Sequence, residues 1–180
     1  MDVGRLAVRL VIGSLFVGHG TQKLFGWFGG SGLEGTDKAM SATGMFPVRS
    51  NSLAAGVAEA GCGALLVVGL GTPVAAAGLI GVMTTAIRKV HAKNGPWNSN
   101  RGWEYNAVII AALTALVDSG PGSQSLDAAR GRVRSGSGWA LGALAAGVAA
   151  STLAIEIGHR NAPRTEPAAD LSSSPTPSAD

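Results

Sequence analysis

Long runs without a formal charge constrain this chain more than any other feature. Ser52–Thr72 holds one charge, Glu59, while Pro73–Ile87 and Tyr105–Val117 hold none. The apolar stretches built on these runs are roughly Leu6–Phe28, Ser52–Leu70, Pro73–His91 and Trp103–Val117. A helix needs ~20 mostly apolar residues to cross the hydrocarbon core of a bilayer. Backbone groups in lipid are satisfied only within helices or closed barrels. The expected fold is therefore all-α, an integral membrane four-helix bundle. The first stretch is the shortest, with 13 residues, Leu10–Gln22, between its nearest formal charges. It can still span if Arg9 snorkels to one interface and Lys23 to the other or into the bundle.

Composition favours the bilayer over a soluble fold. Of 180 residues, 46% are hydrophobic and only 14% charged, with mean hydropathy +0.27. Soluble domains carry ~25% charged residues to cover their surface. The net charge of +3 comes from scattered Lys and Arg with no long basic run, so no nucleic-acid partner is expected. Cys62 is the single cysteine, which excludes an intrachain disulfide and a CxxC redox pair. No small-x-small cleavage site follows the first apolar stretch, so it reads as a retained span.

Beyond the four stretches, Gly136–Ile155 is free of charge and follows Arg130, Arg132 and Arg134. It reads as a fifth, C-terminal transmembrane helix, the alternative being a helix lying against the bundle. Four prolines fall among the last 18 residues, so the tail reads as disordered. The expected organisation is a bundle over residues 1–130, an extra span over 131–160 and a tail over 161–180. Gly29–Asn51 reads as an extramembrane loop without the strand-to-helix context of a dinucleotide site. Glycines at positions 13, 56, 61, 63, 69, 78 and 81 allow close helix approach.

Short loops make successive spans antiparallel, which gathers most of the ionisable residues at one end. His19, Gln22 and Lys23 lie at i, i+3 and i+4 near the end of the first span. Glu59 lies early in the second, Arg88 and His91 end the third, and Glu104, Tyr105 and Asn106 begin the fourth. His19 and Glu59 are each about seven residues, or roughly 10 Å, from the same interface. Ionisable groups at that depth are costly and mark functional sites by default. Three readings follow. Glu59 pairs with Lys23 or Arg88 and locks helix order; or the cluster binds a small anion or a quinone head group; or it forms a proton or ion path. Phe25, Trp27, Phe28, Trp97, Trp103 and Tyr105 cluster at the same end, either as an interfacial aromatic belt or as a platform for a planar ligand. No HxxxH or ExxH spacing joins His19 or His91 to each other or to Glu59 or Glu104, so no metal site is expected among them.

The residues resemble those of the DoxX family of small bacterial membrane proteins. The resemblance runs through Gly4-Arg5-Leu6, Arg9-Leu10, Gly13, Phe16, His19-Gly20 and Gln22-Lys23-Leu24-Phe25-Gly26. It continues in Ala55-Gly56-Val57-Ala58-Glu59, Leu65-Leu66, Gly69-Leu70, His91, Asn94-Gly95, Glu104-Tyr105-Asn106 and Gly120-Pro121-Gly122 with Ser125-Leu126-Asp127. It implies a four-helix membrane bundle linked to redox chemistry, since the family takes its name from a subunit of a thiosulfate:quinone oxidoreductase. Arg101-Gly102-Trp103 departs from the family's Gly-Gly before its Glu-Tyr pair. The segment from Gly136 onward lies outside the family pattern.

These observations lead to a multi-pass component of a redox complex in a bacterial cytoplasmic membrane, quinone-linked and thiosulfate-oxidising by resemblance. His19 and Glu59 are the expected catalytic pair. Gln22, Lys23, Arg88, His91, Glu104 and Tyr105 are the expected ligand contacts, with no metal. No cofactor is encoded, and quinone is the ligand considered; a partner must supply the electron carrier. Membrane lipid, redox enzymes and a second copy of the chain are the expected partners. The competing reading is a non-enzymatic membrane anchor or assembly scaffold for soluble partners.

Overall fold

The computed structural model describes residues 2–163. Seven α-helices follow one another: α1 Val3–Phe25, α2 Gly32–Ala42, α3 Val48–Val68, α4 Thr72–Ala86, α5 Glu104–Ser119, α6 Leu126–Ala129 and α7 Ser137–Arg160. There is no strand among the described residues. A π-helical turn, Ile87–His91, and a short 3-10 turn prolong α4 as far as Asn94. The expected disordered tail lies outside the described residues from position 164 onward.

By length and composition α1, α3, α7 and the continuous helix Thr72–Asn94 are each able to cross a membrane. Their outer faces are apolar and exposed, as at Val57, Val74, Leu141 and Leu153. An apolar surface on every long helix is what a bilayer covers. The four-helix membrane bundle expected from the uncharged runs is present in α1, α3, α4 and α5. α5 is the shortest of them at 16 residues, about 24 Å. The C-terminal segment is a longer helix than expected, reaching Arg160, and it packs along α4. The segment Gly29–Asn51 is not simply a loop, since it contains the 11-residue α2. No long apolar run marks α2 in the sequence; the helix packs against α1 and α3.

Close approach explains the glycines. Buried positions on α1 (Arg9, Gly13, Phe16, Gly20) and on α3 (Ser52, Gly56, Glu59, Gly63, Leu66) recur every three or four residues. Each series forms one stripe on its helix. A Cβ at Gly13 would fall 2.7 Å from the Gly63 carbonyl oxygen, and one at Gly20 would meet the Ala60 backbone. The antiparallel register therefore pairs Gly13 with Gly63 and Gly20 with Gly56. Gly78 admits Cys62 between α3 and α4, and Gly147 of α7 abuts Ala77 and Ile80 of α4. Gly61, by contrast, faces open space. Phe16, Leu66, Leu79, Ile80, Leu113 and Val117 fill the centre.

Candidate functional site

The α1 stripe ends in a cation at each side of the membrane, Arg9 and Lys23. Helix side chains lean toward their own N-terminus. Lys23 therefore leans back toward the bundle centre, and Glu59 on antiparallel α3 leans out to meet it. Lys23 Nζ and Glu59 Oε2 are 2.6 Å apart, the lysine side chain 31% exposed and the glutamate 4%. A buried carboxylate is tolerable only when paired and hydrogen-bonded, and Lys23 supplies that partner. Thr36 on α2 donates to the Lys23 carbonyl at 3.2 Å, tying α2 onto this end of α1.

His19 does not join this pair. It faces a cavity of about 320 Å³ between α1 and α5, lined also by Phe16, Met83, His91, Asn98, Tyr105 and Asn106. His19, His91, Asn98 and Tyr105 stand toward one end. Val11, Ile12, Val108 and Ala112 line the part that runs toward the bundle middle. The cavity is thus polar at its mouth and apolar at depth.

Hydrogen bonds define how the two imidazoles meet a ligand. His91 Nδ1 is 2.7 Å from the Arg101 carbonyl oxygen. That oxygen only accepts, so Nδ1 carries the hydrogen and Nε2 is left to the cavity. His19 Nδ1 likewise sits 3.1 Å from Gln22 Oε1, while Gln22 Nε2 donates toward the Phe28 carbonyl at 3.4 Å. With Nδ1 so engaged, Nε2 is the ring nitrogen that each imidazole keeps for a ligand. Asn106 is 6% exposed and its amide donates to Met83 Sδ at 3.3 Å, a weak acceptor for a buried donor.

The mouth is closed by the loop Gly95–Trp103. Glu104 Oε1 accepts the Asn98 amide at 2.7 Å, and the Glu104 amide donates to the Pro96 carbonyl at 2.9 Å. Asn94 Nδ2 donates to the same Arg101 carbonyl that holds His91. Arg101 has φ +61, a left-handed conformation costing a non-glycine residue ~1–2 kcal/mol. The departure from Gly-Gly in this loop is therefore a strained arginine whose carbonyl serves two donors.

The expected site residues separate into three groups. His19, His91 and Tyr105 line the cavity, and Gln22 and Glu104 anchor groups at its edge. Lys23 and Glu59 form the adjoining ion pair between α1 and α3. Positions i, i+3 and i+4 spread over ~100° of the helix surface, enough to touch two neighbours, so His19 and Lys23 meet different partners. The structure thus gives His19 and Glu59 separate partners rather than each other. Arg88 is on neither site: it is exposed and donates to Thr152 of α7 at 3.0 Å. Residues 88 and 91 are ~60° apart around an α-helix. The π turn, with its wider i→i+5 bonding, spreads them further.

Arg9 is the residue whose role the sequence concealed. Instead of snorkelling to an interface, it is 2% exposed. It leans toward the N-terminus of α1 and meets the carbonyls that end α3. Nε donates to Leu66 O at 3.0 Å and Nη2 to Val67 O at 2.7 Å. Nη1 donates to Pro121 O and Gln124 O, both at 2.8 Å. Beside it, Asp127 accepts from the Gly71 amide and from the Thr72 amide and hydroxyl. Burial alone would push the Asp127 carboxyl up, but these hydrogen bonds, with Arg134 nearby, hold it below its ordinary value. Among the described residues no three His, Cys, Asp or Glu side chains gather as a metal ion would require.

Fold and site together define a multi-pass, all-α membrane protein with one amphipathic cavity beside a buried ion pair. The DoxX family model matches residues 4–92, and through that stretch the chain belongs to the DoxX family. The match covers α1 to the π turn, including His19, Gln22, Lys23, Glu59, Arg88 and His91. Glu104, Tyr105 and the whole of α7 lie beyond it. No curated protein and no solved structure matches the chain.

Proposed function

We propose that this protein is the membrane component of a redox complex in a bacterial cytoplasmic membrane, and that the α1–α5 cavity takes the ring of a quinone. Thiosulfate as the ultimate electron donor of that complex is part of the same reading and rests on family resemblance alone. The observation that carries the proposal is the cavity itself, with two imidazole Nε2 acceptors and a phenol at its mouth and apolar walls below. A lipid-soluble ring with polar oxygens and an apolar tail has that same polarity gradient. A quinone supplies two-electron, two-proton chemistry when bound. His19 and His91 Nε2 would accept hydrogen bonds from the hydroxyls of the reduced ring, and Tyr105 would donate one to a carbonyl of the oxidised ring. Lys23 and Glu59 would set the charge beside them. Electrons would come from a soluble partner.

The test is equilibrium dialysis of a short-chain naphthoquinone, oxidised and reduced, against the purified protein. His19→Ala is expected to weaken binding of the reduced form by about tenfold, one buried hydrogen bond's worth. Glu156→Gln, on the far face of α7, should leave it unchanged. Binding that ignores both the His19 and Tyr105 substitutions would sink the proposal.

The anchor reading keeps one specific observation in its favour. Phe25, Trp27 and Phe28 stand exposed in one aromatic group, the Phe25 and Trp27 rings tilted with centroids 5.3 Å apart and Trp27 and Phe28 edge to face. Phe28 holds φ +53 at the tip. A soluble partner lost from membranes of a Trp27→Ala, Phe28→Ala variant, with quinone binding retained, would favour that role.

A further inference from the structure

A second cleft, of about 880 Å³, lies between α5 and α7 on the side of α5 away from the quinone cavity. We propose that it holds a phospholipid with a phosphoethanolamine headgroup, bound as a structural ligand. Its walls follow α5 from Trp103 to Asp118, about 22 Å of helix. Between its ends the walls are almost wholly apolar, from Ala107 and Ile110 on α5 to Leu141 and Leu144 on α7, and an apolar groove of that length accommodates acyl chains.

The polar groups stand where a headgroup would. Asp118 and Ser137 close one end. The Ser137 hydroxyl donates to Asp118 Oδ1 at 3.1 Å, and the Gly136 amide donates to the Asp118 carbonyl at 2.9 Å. Trp139, two residues further on, carries the Arg134 guanidinium 5.3 Å above its ring. Such a Trp–Arg pair belongs at headgroup level. Asp118 is exposed, and among the described residues no cation pairs with it. Arg130, Arg132 and Arg134 are exposed on the segment that leads into α7. The Asp118 end thus offers a carboxylate to an ammonium, with the Arg134 guanidinium on the adjoining segment for a phosphate. A purely anionic headgroup would be repelled by Asp118, and a choline headgroup has no N–H to give it.

The protein extracted from native membranes in mild detergent would be examined by native mass spectrometry, with its retained lipids quantified. Phosphatidylethanolamine is expected at one or two molecules per chain, enriched about fivefold over the bulk membrane. Asp118→Asn should return the retained lipid to bulk composition. It leaves the backbone bond to Gly136 in place and so should fold. Ala111→Phe, which fills the cleft, should lower total retained lipid. A parallel thermal-unfolding series in nanodiscs should show wild type more stable in phosphatidylethanolamine than in phosphatidylcholine or phosphatidylglycerol, with the preference lost in Asp118→Asn. Retained lipid of bulk composition in wild type, or an unchanged preference in Asp118→Asn, overturns the proposal. So does a dimer cross-linked through cysteines placed along this cleft.

Discussion

The two ends of α1 place a cation at membrane depth and deal with it in different ways. Arg9 is wrapped by four backbone carbonyls from α3 and from the α5–α6 connection. Lys23 has one carboxylate partner, retains a third of its exposure, and lies one turn from a cavity lined by two histidines. The first arrangement satisfies four of the five N–H donors of a planar group and leaves little for a ligand. The second leaves donors and acceptors to spare. Buried charge alone does not mark a functional site; the unspent hydrogen-bonding capacity around it does.

Substitutions at the two ends should therefore differ in kind. Arg9→Leu is expected to have the largest effect, about 3–5 kcal/mol of lost stability, because several buried carbonyls lose their donor at once. Arg9→Lys should recover little, since an ammonium cannot fork to carbonyls on two elements. Thermal unfolding in detergent measures both, and a fully stable Arg9→Leu would erase the contrast. Lys23→Met should cost less, about 2–3 kcal/mol, by stranding the buried Glu59. Combining it with Glu59→Gln should recover at least half, because the double variant buries no lone charge. Equal stability of the single and double variants would mean that Glu59 finds another partner.

Arg101→Gly sharpens the comparison at the cavity. It should stabilise by about 1 kcal/mol through relief of the left-handed backbone, with His91 still held by the carbonyl at position 101. A pH-dependent effect is expected at Asp127. Its folded value lies below its ordinary 3.8. Its stabilising contribution is therefore complete above about pH 4 and fades as the pH falls through the lowered value. Asp127→Asn should flatten that acid limb of the melting-temperature profile. An unchanged limb would assign it to other carboxylates, of which Asp2, also held low by Ser123, is the first to examine.

Most of the architecture was legible because an uncharged run has few alternatives in a bilayer. The span limits shift by only a few residues between sequence and structure, and the polar cluster does gather at one end. Arg9 was not legible: a charge at the edge of an apolar run looks the same whether it turns outward to water or inward to carbonyls. The signal was present in another form. Arg9, Gly13, Phe16, Gly20 and Lys23 fall at alternating spacings of four and three, so one face of α1 begins and ends with a cation. The neighbouring pair at 88 and 91 misled for a different reason. Periodicity arguments assume 3.6 residues per turn, and this helix abandons that value at Ile87.

That local change of winding has a consequence for how the chain tolerates length changes. A π turn is an α-helix that has absorbed one additional residue without disturbing what lies on either side. Removing a single residue between Ile87 and Val90 should therefore let the ladder close as ordinary α-helix and leave His91 at the cavity. The same deletion at Leu79 would swing everything downstream by about 100° and carry the imidazole out into the acyl chains.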